Sequence, residues 1–373
     1  MGTYAVIGLA FGDEGKGLVT NALCQSLENP LVIRYSGGQQ AGHTVVTNKA
    51  KHVFSNFGSG TLADAPTHWS GTCTFDPQGT LKEFHVLKTK GINPRLYIDS
   101  ECPVTTPFEK MINQTCQKTL MDGTCGAGVG ATHEREAKGF SLKAIDLVHP
   151  IVFNMKVERL WDFYKGLTLH AKVVAKMTEF KLDVLTLMQK ESIHVLANDY
   201  DERFDNIIFE GSQGLLLDAE YGFYPHVTRS RTGTEAFRGF DVDRYYLVTR
   251  AYQTRHGNGP MTNLDIPLSI MNNPDETNVA NQYQGLFRKT VLDVSLLKYA
   301  VERDPRLVES HHKSTLVITC CDQLIAPYTF TENGKLHSYR TLEEFATAIC
   351  CRLKLQDYVI VNSPDQKDLV RKL

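Results

Sequence analysis

This sequence predicts an α/β fold: a large, mostly parallel central sheet flanked by helices. Three observations carry the expectation. Short apolar runs rich in Val, Ile and aromatics recur along the chain, longer helix-patterned stretches separate them, and polar glycine-rich segments follow several of the runs directly. The runs are continuous rather than alternating, as in strands buried on both faces.

The first run is YAVIGLA at 4–10, which leads into FGDEGKG at 11–17 and then the helix-patterned GLVTNALCQSLE. PLVIRYS follows at 30–36 and opens into the polar turn SGGQQAGHTVV. Further strands are expected in DNIIFEGS (205–212), DRYYLVTRAY (243–252), STLVITC (314–320) and DYVIVNS (357–363). Helices are expected at 170–189 and 291–304, and the stretch 142–202 reads as a mostly helical subdomain. No Pro/Gly/Ser linker divides the 373 residues, so they read as one domain, 1–373.

Composition narrows the function. With 42% hydrophobic and 22% charged residues and a net charge of −2, nothing points to a nucleic-acid or anionic-membrane surface, so anion binding must be local. No apolar run approaches the ~20 residues of a membrane helix. Nine cysteines, including the adjacent pairs Cys320-Cys321 and Cys350-Cys351 but no CxxC, read as reduced thiols of a cytoplasmic protein.

FGDEGKG sits between a strand and a helix. Its glycines let backbone N–H groups converge on an anion, the helix N-terminus favours negative charge, and Lys16 adds a cation. The spacing is not that of a Walker loop, and Gly17 stands where the magnesium-binding hydroxyl would be. An acid in such a loop repels phosphate unless it holds a metal or takes a proton; the bland alternative is a turn with solvated charges. His43 lies in the next polar turn, where an acid and an imidazole on neighbouring loops suit proton transfer. DGTCGAGVGATHERE (122–136) is a third glycine-rich loop. EGSQGLLLD (210–218) and its continuation carry Gln213, which can read a base edge, and Thr228, which can take a phosphate.

In this order, GDEGKG, GGQQAGHTVV, EGSQGLLLD with GFYPHVT, and TRAYQTRHGNGP resemble the adenylosuccinate synthetase family over almost the whole chain. HVFSNFGSGTL, SGTCTFDP and NSPDQKDL agree with it as well. The resemblance implies a fold related to P-loop NTPases and a ligase that joins L-aspartate to C6 of IMP with GTP and Mg²⁺, through a 6-phosphoryl intermediate. It implies that Asp13 removes the N1 proton, His43 assists phosphoryl transfer, Lys16 neutralises phosphate and Gln213 holds the purine. Gly12, Glu14, Gly15, Lys16, Gly17, Gly42, Thr44, Asp322 and Pro364 would bind the donor nucleotide. Gln40, Thr124, Cys125, Thr228 and Arg255 would bind the purine nucleotide, with Arg135 as the arginine lent across a homodimer. Asp13 and the Gly42 carbonyl would hold the metal.

The departures are specific. Cys320 and Cys321 stand where the family has lysine and leucine between Thr319 and Asp322, and loss of that lysine leaves GTP and ATP both open as donors. Cys125 replaces a threonine, and Gln39-Gln40 replace an asparagine pair. The family's aspartate-binding loop has no clear counterpart; NQYQGLFRKTVLD offers only Arg288 and Lys289. Short length and this segment resemble the branch with archaeal enzymes and viral synthetases that make 2-aminoadenylosuccinate from dGMP. A (d)GMP–aspartate ligase therefore stays open, as does a nucleotide-binding sensor without turnover. Retained Asp13 favours a base without a 2-amino group.

Overall fold

Nine strands form one sheet in the spatial order Asp357–Ile360, Ser314–Thr319, Arg244–Arg250, Gly2–Gly8, Asn206–Gly214, Pro30–Arg34, Thr67–Trp69, Leu96–Asp99, Ile193–Leu196. Every neighbouring pair is parallel. The computed structural model describes residues 2–48, 50–116, 124–166, 171–196, 203–271, 273, 278, 283, 285–363 and 367–370.

All six expected strands are present, and in the centre of the sheet they are buried on both faces as their continuous apolar runs require. Ala5, Ile7, Leu31, Ile33, Phe209, Leu247 and Leu316 face one core, while Val6, Val32, Ile208, Val248 and Val317 face another. Three short strands at 67–69, 96–99 and 193–196 extend one edge and were not evident from pattern.

The described residues of segment 142–202 are mostly helical, in helices Ala144–Leu147, Pro150–Tyr164 and Ala171–Met188, and also include the edge strand Ile193–Leu196. Phe153, Val157, Leu160, Met177, Phe180 and Val184 pack with Trp69, Leu96 and Ile98 in a third core at that edge. The helix expected from 291 starts later, at Val294–Arg303, because Asp293 caps it by accepting from the Ser295 N–H.

The strand Gly2–Gly8 lies between Asn206–Gly214 and Arg244–Arg250; its own chain goes on to Pro30–Arg34 on one side, whereas that of Arg244–Arg250 goes on to Ser314–Thr319 on the other. In a parallel sheet, the carboxyl ends of such strands border the crevice where ligands bind. The loop after Gly8 and the helix Lys16–Ser26 open there.

Candidate active site

A cavity of about 760 Å³ occupies this crevice. Loop 11–17, Gln40–Thr44, Thr124, Cys125, Ser212, Gln213, Thr228, Arg250, Arg255, His256 and Asp322 all line it. Segments scattered across the sequence therefore meet at one place.

The loop owes its path to left-handed residues. Gly12 and Gly15 have φ near +90°, where a side chain is strained, and Asp13 itself has φ 57°. Glu14 turns inward. Its carboxylate accepts from the Ala10 N–H at 2.5 Å and from Lys16 Nζ at 2.8 Å, and both side chains are 1% exposed. A Cβ on Gly8 would stand 1.9 Å from that carboxylate. Glu14 lines the cavity, but its carboxylate is already bonded to a loop N–H and to Lys16, so the side chain ties the loop and aims the lysine and leaves the backbone to meet a phosphate.

His43 is also built from behind. Its Nδ1 lies 2.7 Å from Glu210 Oε1, its Nε2 lies 3.5 Å from the Ser212 carbonyl, and Ser59 donates both its N–H and its hydroxyl to Glu210. Burial alone would raise the Glu210 carboxyl; the His43 imidazole, Arg34 and the Ser59 hydroxyl outweigh it and bring it down to about 2. Burial lowers His43 from its ordinary value, with Glu210 opposing. An ionised Glu210 thus accepts a hydrogen bond from Nδ1–H and fixes the ring. Gly17 permits this packing, since a Cβ there would meet the His43 Cβ at 2.7 Å.

Gln40 and Gln213 lie side by side over Gly37, whose added Cβ would be 2.5 Å from Gln40 Nε2 and 2.8 Å from Gln213 Oε1. Both amide oxygens are buried without a partner among the described residues. Buried polar atoms of this kind call for a ligand. On another wall the Thr124 hydroxyl accepts from Asn113 at 2.7 Å, and burial raises the Cys125 thiol so that it stays protonated beside an anion. Asp322 lines the cavity within a turn that begins at the left-handed Cys320; burial raises its carboxyl.

Arg255 lines the cavity, lies 4.1 Å over the Phe11 ring and donates to the Pro260 and His226 carbonyls. Burial, with Arg288 nearby, lowers it to about 10.

Two other expectations change. Arg135 is 1% exposed, and its guanidinium donates to Glu109, Glu136 and the carbonyls of Val104 and Phe140. Every one of its nitrogens is used inside the fold, so it is not an arginine lent to another copy. Arg288 and Lys289 do not line the cavity. Arg288 donates to the carbonyls of Gly257 and Gly259 at 2.6 Å, and Lys289 lies over the Phe287 and Tyr252 rings. Pro364 lies outside the described residues.

Sequence reasoning missed Glu210, Arg34, Arg250 and His256. Arg34 and Glu210 are direct partners in the sheet register, each a lone charge ending an apolar run. That pattern is the signal that could have found them. Arg250 donates from Nε to the Asp13 carbonyl, and His256 Nε2 is 3.4 Å from Asp13 Oδ2.

Comparison with known proteins agrees with the site. The adenylosuccinate synthetase family profile matches residues 5–324. The adenylosuccinate synthetase of Histophilus somni is 31% identical over 280 residues, 70% of this chain and 64% of that protein. The match therefore spans slightly less than two thirds of that relative's length. The Thermoplasma volcanium enzyme is 29% identical over 324 residues, 81% of this chain and 73% of that one. Among solved structures, the fully ligated Plasmodium falciparum adenylosuccinate synthetase superposes with a TM-score of 0.74 over 98% of both chains at 18% identity. The cyanophage S-2L succinoaminodeoxyadenylate synthetase superposes with a TM-score of 0.62 at 16% identity, over 98% of this chain and 94% of that one. With its loops meeting where the family motifs stand, this chain belongs to the adenylosuccinate synthetase family.

Proposed function

We propose that this protein ligates L-aspartate to C6 of IMP with hydrolysis of GTP, giving adenylosuccinate. One observation carries the reading: Asp13 presents a partly exposed carboxylate to the same cavity as Lys16, His43 and Gln213. An acid in a phosphate loop has a use when the substrate must lose a proton.

In the first step Asp13 takes the proton from purine N1, and the electron pair makes O6 nucleophilic. O6 bonds to the γ-phosphorus of GTP as the bond to the β,γ-bridging oxygen breaks and GDP leaves. Such transfer depends on positioning and charge neutralisation, which Lys16 and the loop N–H groups supply. His43, held by Glu210, stabilises the moving phosphoryl group and the departing oxygen. In the second step the aspartate amine bonds to C6, the C6–O6 bond breaks, phosphate leaves and the amine sheds its proton. Gln40 and Gln213 hold the base; Thr124, Cys125 and Thr228 take the 5′-phosphate; Asp322 takes the donor base.

The residues fit Mg²⁺, which uses one or two carboxylates and completes its octahedron with phosphates and water. Asp13 and the Gly42 carbonyl would hold it, and no group of three or more His, Cys, Asp or Glu forms a protein cage among the described residues. Bound there, it would neutralise phosphate charge.

A second reading, (d)GMP as acceptor with ATP or GTP as donor, is favoured by Cys320 in place of the family lysine. It is also favoured by the fold shared with the cyanophage enzyme, whose structure holds dGMP and dATP. The guanine 2-amino group adjoins N1, where Asp13 and its metal leave little room. IMP should therefore exceed dGMP in kcat/KM, and Asp13→Ser should narrow or reverse the ratio, each tenfold step being about 1.4 kcal/mol. The test incubates the protein with Mg²⁺ and aspartate against IMP, GMP and dGMP, each with GTP or ATP, and identifies products by mass. Adenylosuccinate from IMP and GTP is expected; no aspartyl product in any arm overturns the ligase reading.

The protein is proposed to act as a cytoplasmic homodimer. Its nine cysteines are all unbridged. Ile145, Val148, Ile151, Val152 and Met155 form an exposed apolar row along 144–155, with Ile151 78% and Met155 62% exposed, which suits burial against a second copy. Sedimentation showing an active monomer would remove this claim. Among the described residues no helix is long and apolar enough to cross a membrane.

A further inference from the structure

One short stretch of chain approaches Asp13 at two points. Arg250, at the end of the strand Arg244–Arg250, donates from Nε to the Asp13 backbone carbonyl. His256, at the end of the strand Gln253–His256, brings Nε2 to 3.4 Å from Asp13 Oδ2. The two side chains share a support. The His256 ring packs on Phe287 with centroids 4.6 Å apart, and the Arg250 guanidinium lies 5.6 Å from the centre of the same ring. Phe287 is the direct antiparallel partner of His256. It belongs to the segment that departs from the family pattern, whose cations turn away from the cavity.

We propose that His256, seated on Phe287, is a positioning residue that sets the direction of the Asp13 carboxylate relative to purine N1. This rests on the ligase reading above. Asp13 carries its carboxylate on a single methylene from a left-handed backbone position in an otherwise open cavity wall. With its backbone held by Arg250 alone, the carboxylate could still turn about both side-chain bonds. A group that must meet one proton loses rate with every orientation it samples uselessly. An imidazole whose task was only to pack on Phe287 would be better replaced by an apolar side chain, because its Nδ1 is buried without a partner among the described residues. The polar ring has a use in its Nε2 contact with Asp13. Since a carboxylate oxygen accepts, the ring presents N–H on that side.

The test uses the full-length protein with IMP, GTP, Mg²⁺ and aspartate, with wild type assayed first. His256→Leu should lower kcat by about 10–100-fold, the scale of a misplaced catalytic group, with the KM values for GTP and aspartate little changed. His256→Gln, whose amide N–H can reach Asp13, should recover most of the loss; His256→Asn, one methylene shorter, should not. In an Asp13→Asn background, His256→Leu should cost almost nothing further, because the residue acts through the carboxylate. Wild-type kcat in His256→Leu overturns the proposal, and so does an undiminished penalty in the Asp13→Asn background. If His256→Leu does not fold, the contrast between Gln and Asn decides the same point. Wild type without aspartyl product would instead bring down the ligase reading and the inference with it, so the two failures are told apart by the first assay.

Discussion

The two sides of the cavity are built differently. On the side of loop 11–17, Lys16 and His43 each have a buried carboxylate behind them, Glu14 and Glu210 respectively. On the side of the hairpin Gln253–His256 and Phe287–Thr290, arginines meet carbonyls and rings instead, as Arg255, Arg288 and Arg250 do. On the first wall the cations are matched by carboxylates before substrate arrives; on the other, burial pushes Arg255 and Arg288 below their ordinary values. The difference teaches that chemistry is assembled on the first wall and that the second mainly orients and receives charge.

The sharpest test of this contrast removes the groups that do chemistry. Asp13→Ala and His43→Ala should each lower kcat by about 10²–10⁴-fold, as general acid–base groups do, with unchanged circular dichroism. Near-normal kcat in either would take that residue out of the mechanism.

Arg135 gives the opposite signature. Removing it leaves Glu109 buried and unpaired, so Arg135→Met should cost about 3–5 kcal/mol of stability. In whatever fraction folds, the KM for IMP should match wild type. A raised KM at equal stability would return Arg135 to the substrate.

Glu210→Gln tests the first wall through pH. The folded Glu210 carboxyl lies at about 2 against an ordinary 4.5. Its stabilisation, on the order of 3 kcal/mol, is complete above the ordinary value and is lost as pH falls through the folded one. Thermal melts of wild type should therefore fall between about pH 4.5 and 2 more steeply than those of Glu210→Gln. Parallel curves would show that the carboxylate is not the stabilising species. The smallest effect belongs to the second wall: Lys289→Met should change kcat/KM for aspartate by less than about threefold, since a partly exposed cation over aromatic rings contributes only ~0.5–1 kcal/mol. A large rise in KM would restore it as an aspartate ligand.

The six main strands were legible because continuous apolar runs can be buried only in the middle of a layered fold. The short edge strands were not, since THW and LYID carry too few residues for a period to show. Among the site residues, Asp13, Lys16 and His43 were legible from glycine-framed loops directly after strands. Glu210 was hidden as a strand residue until its register partner Arg34 placed it beside His43.

By itself the sequence determined the alternation of strands and helices, the phosphate-type loop and the family, because these depend on local spacing and on the order of motifs. Only the tertiary structure decided which charges face the cavity. Arg135 and Arg288 look like ligands in one dimension, yet carbonyls and carboxylates brought from distant segments occupy them in three, and the Glu14 carboxylate turns inward to the Ala10 N–H and Lys16. His256 looks like an ordinary strand end, yet pairing with Phe287 brings it to Asp13. The reason is physical: a long polar side chain is committed by whichever partner the fold places within about 3 Å of it, and that partner is usually far away in the chain.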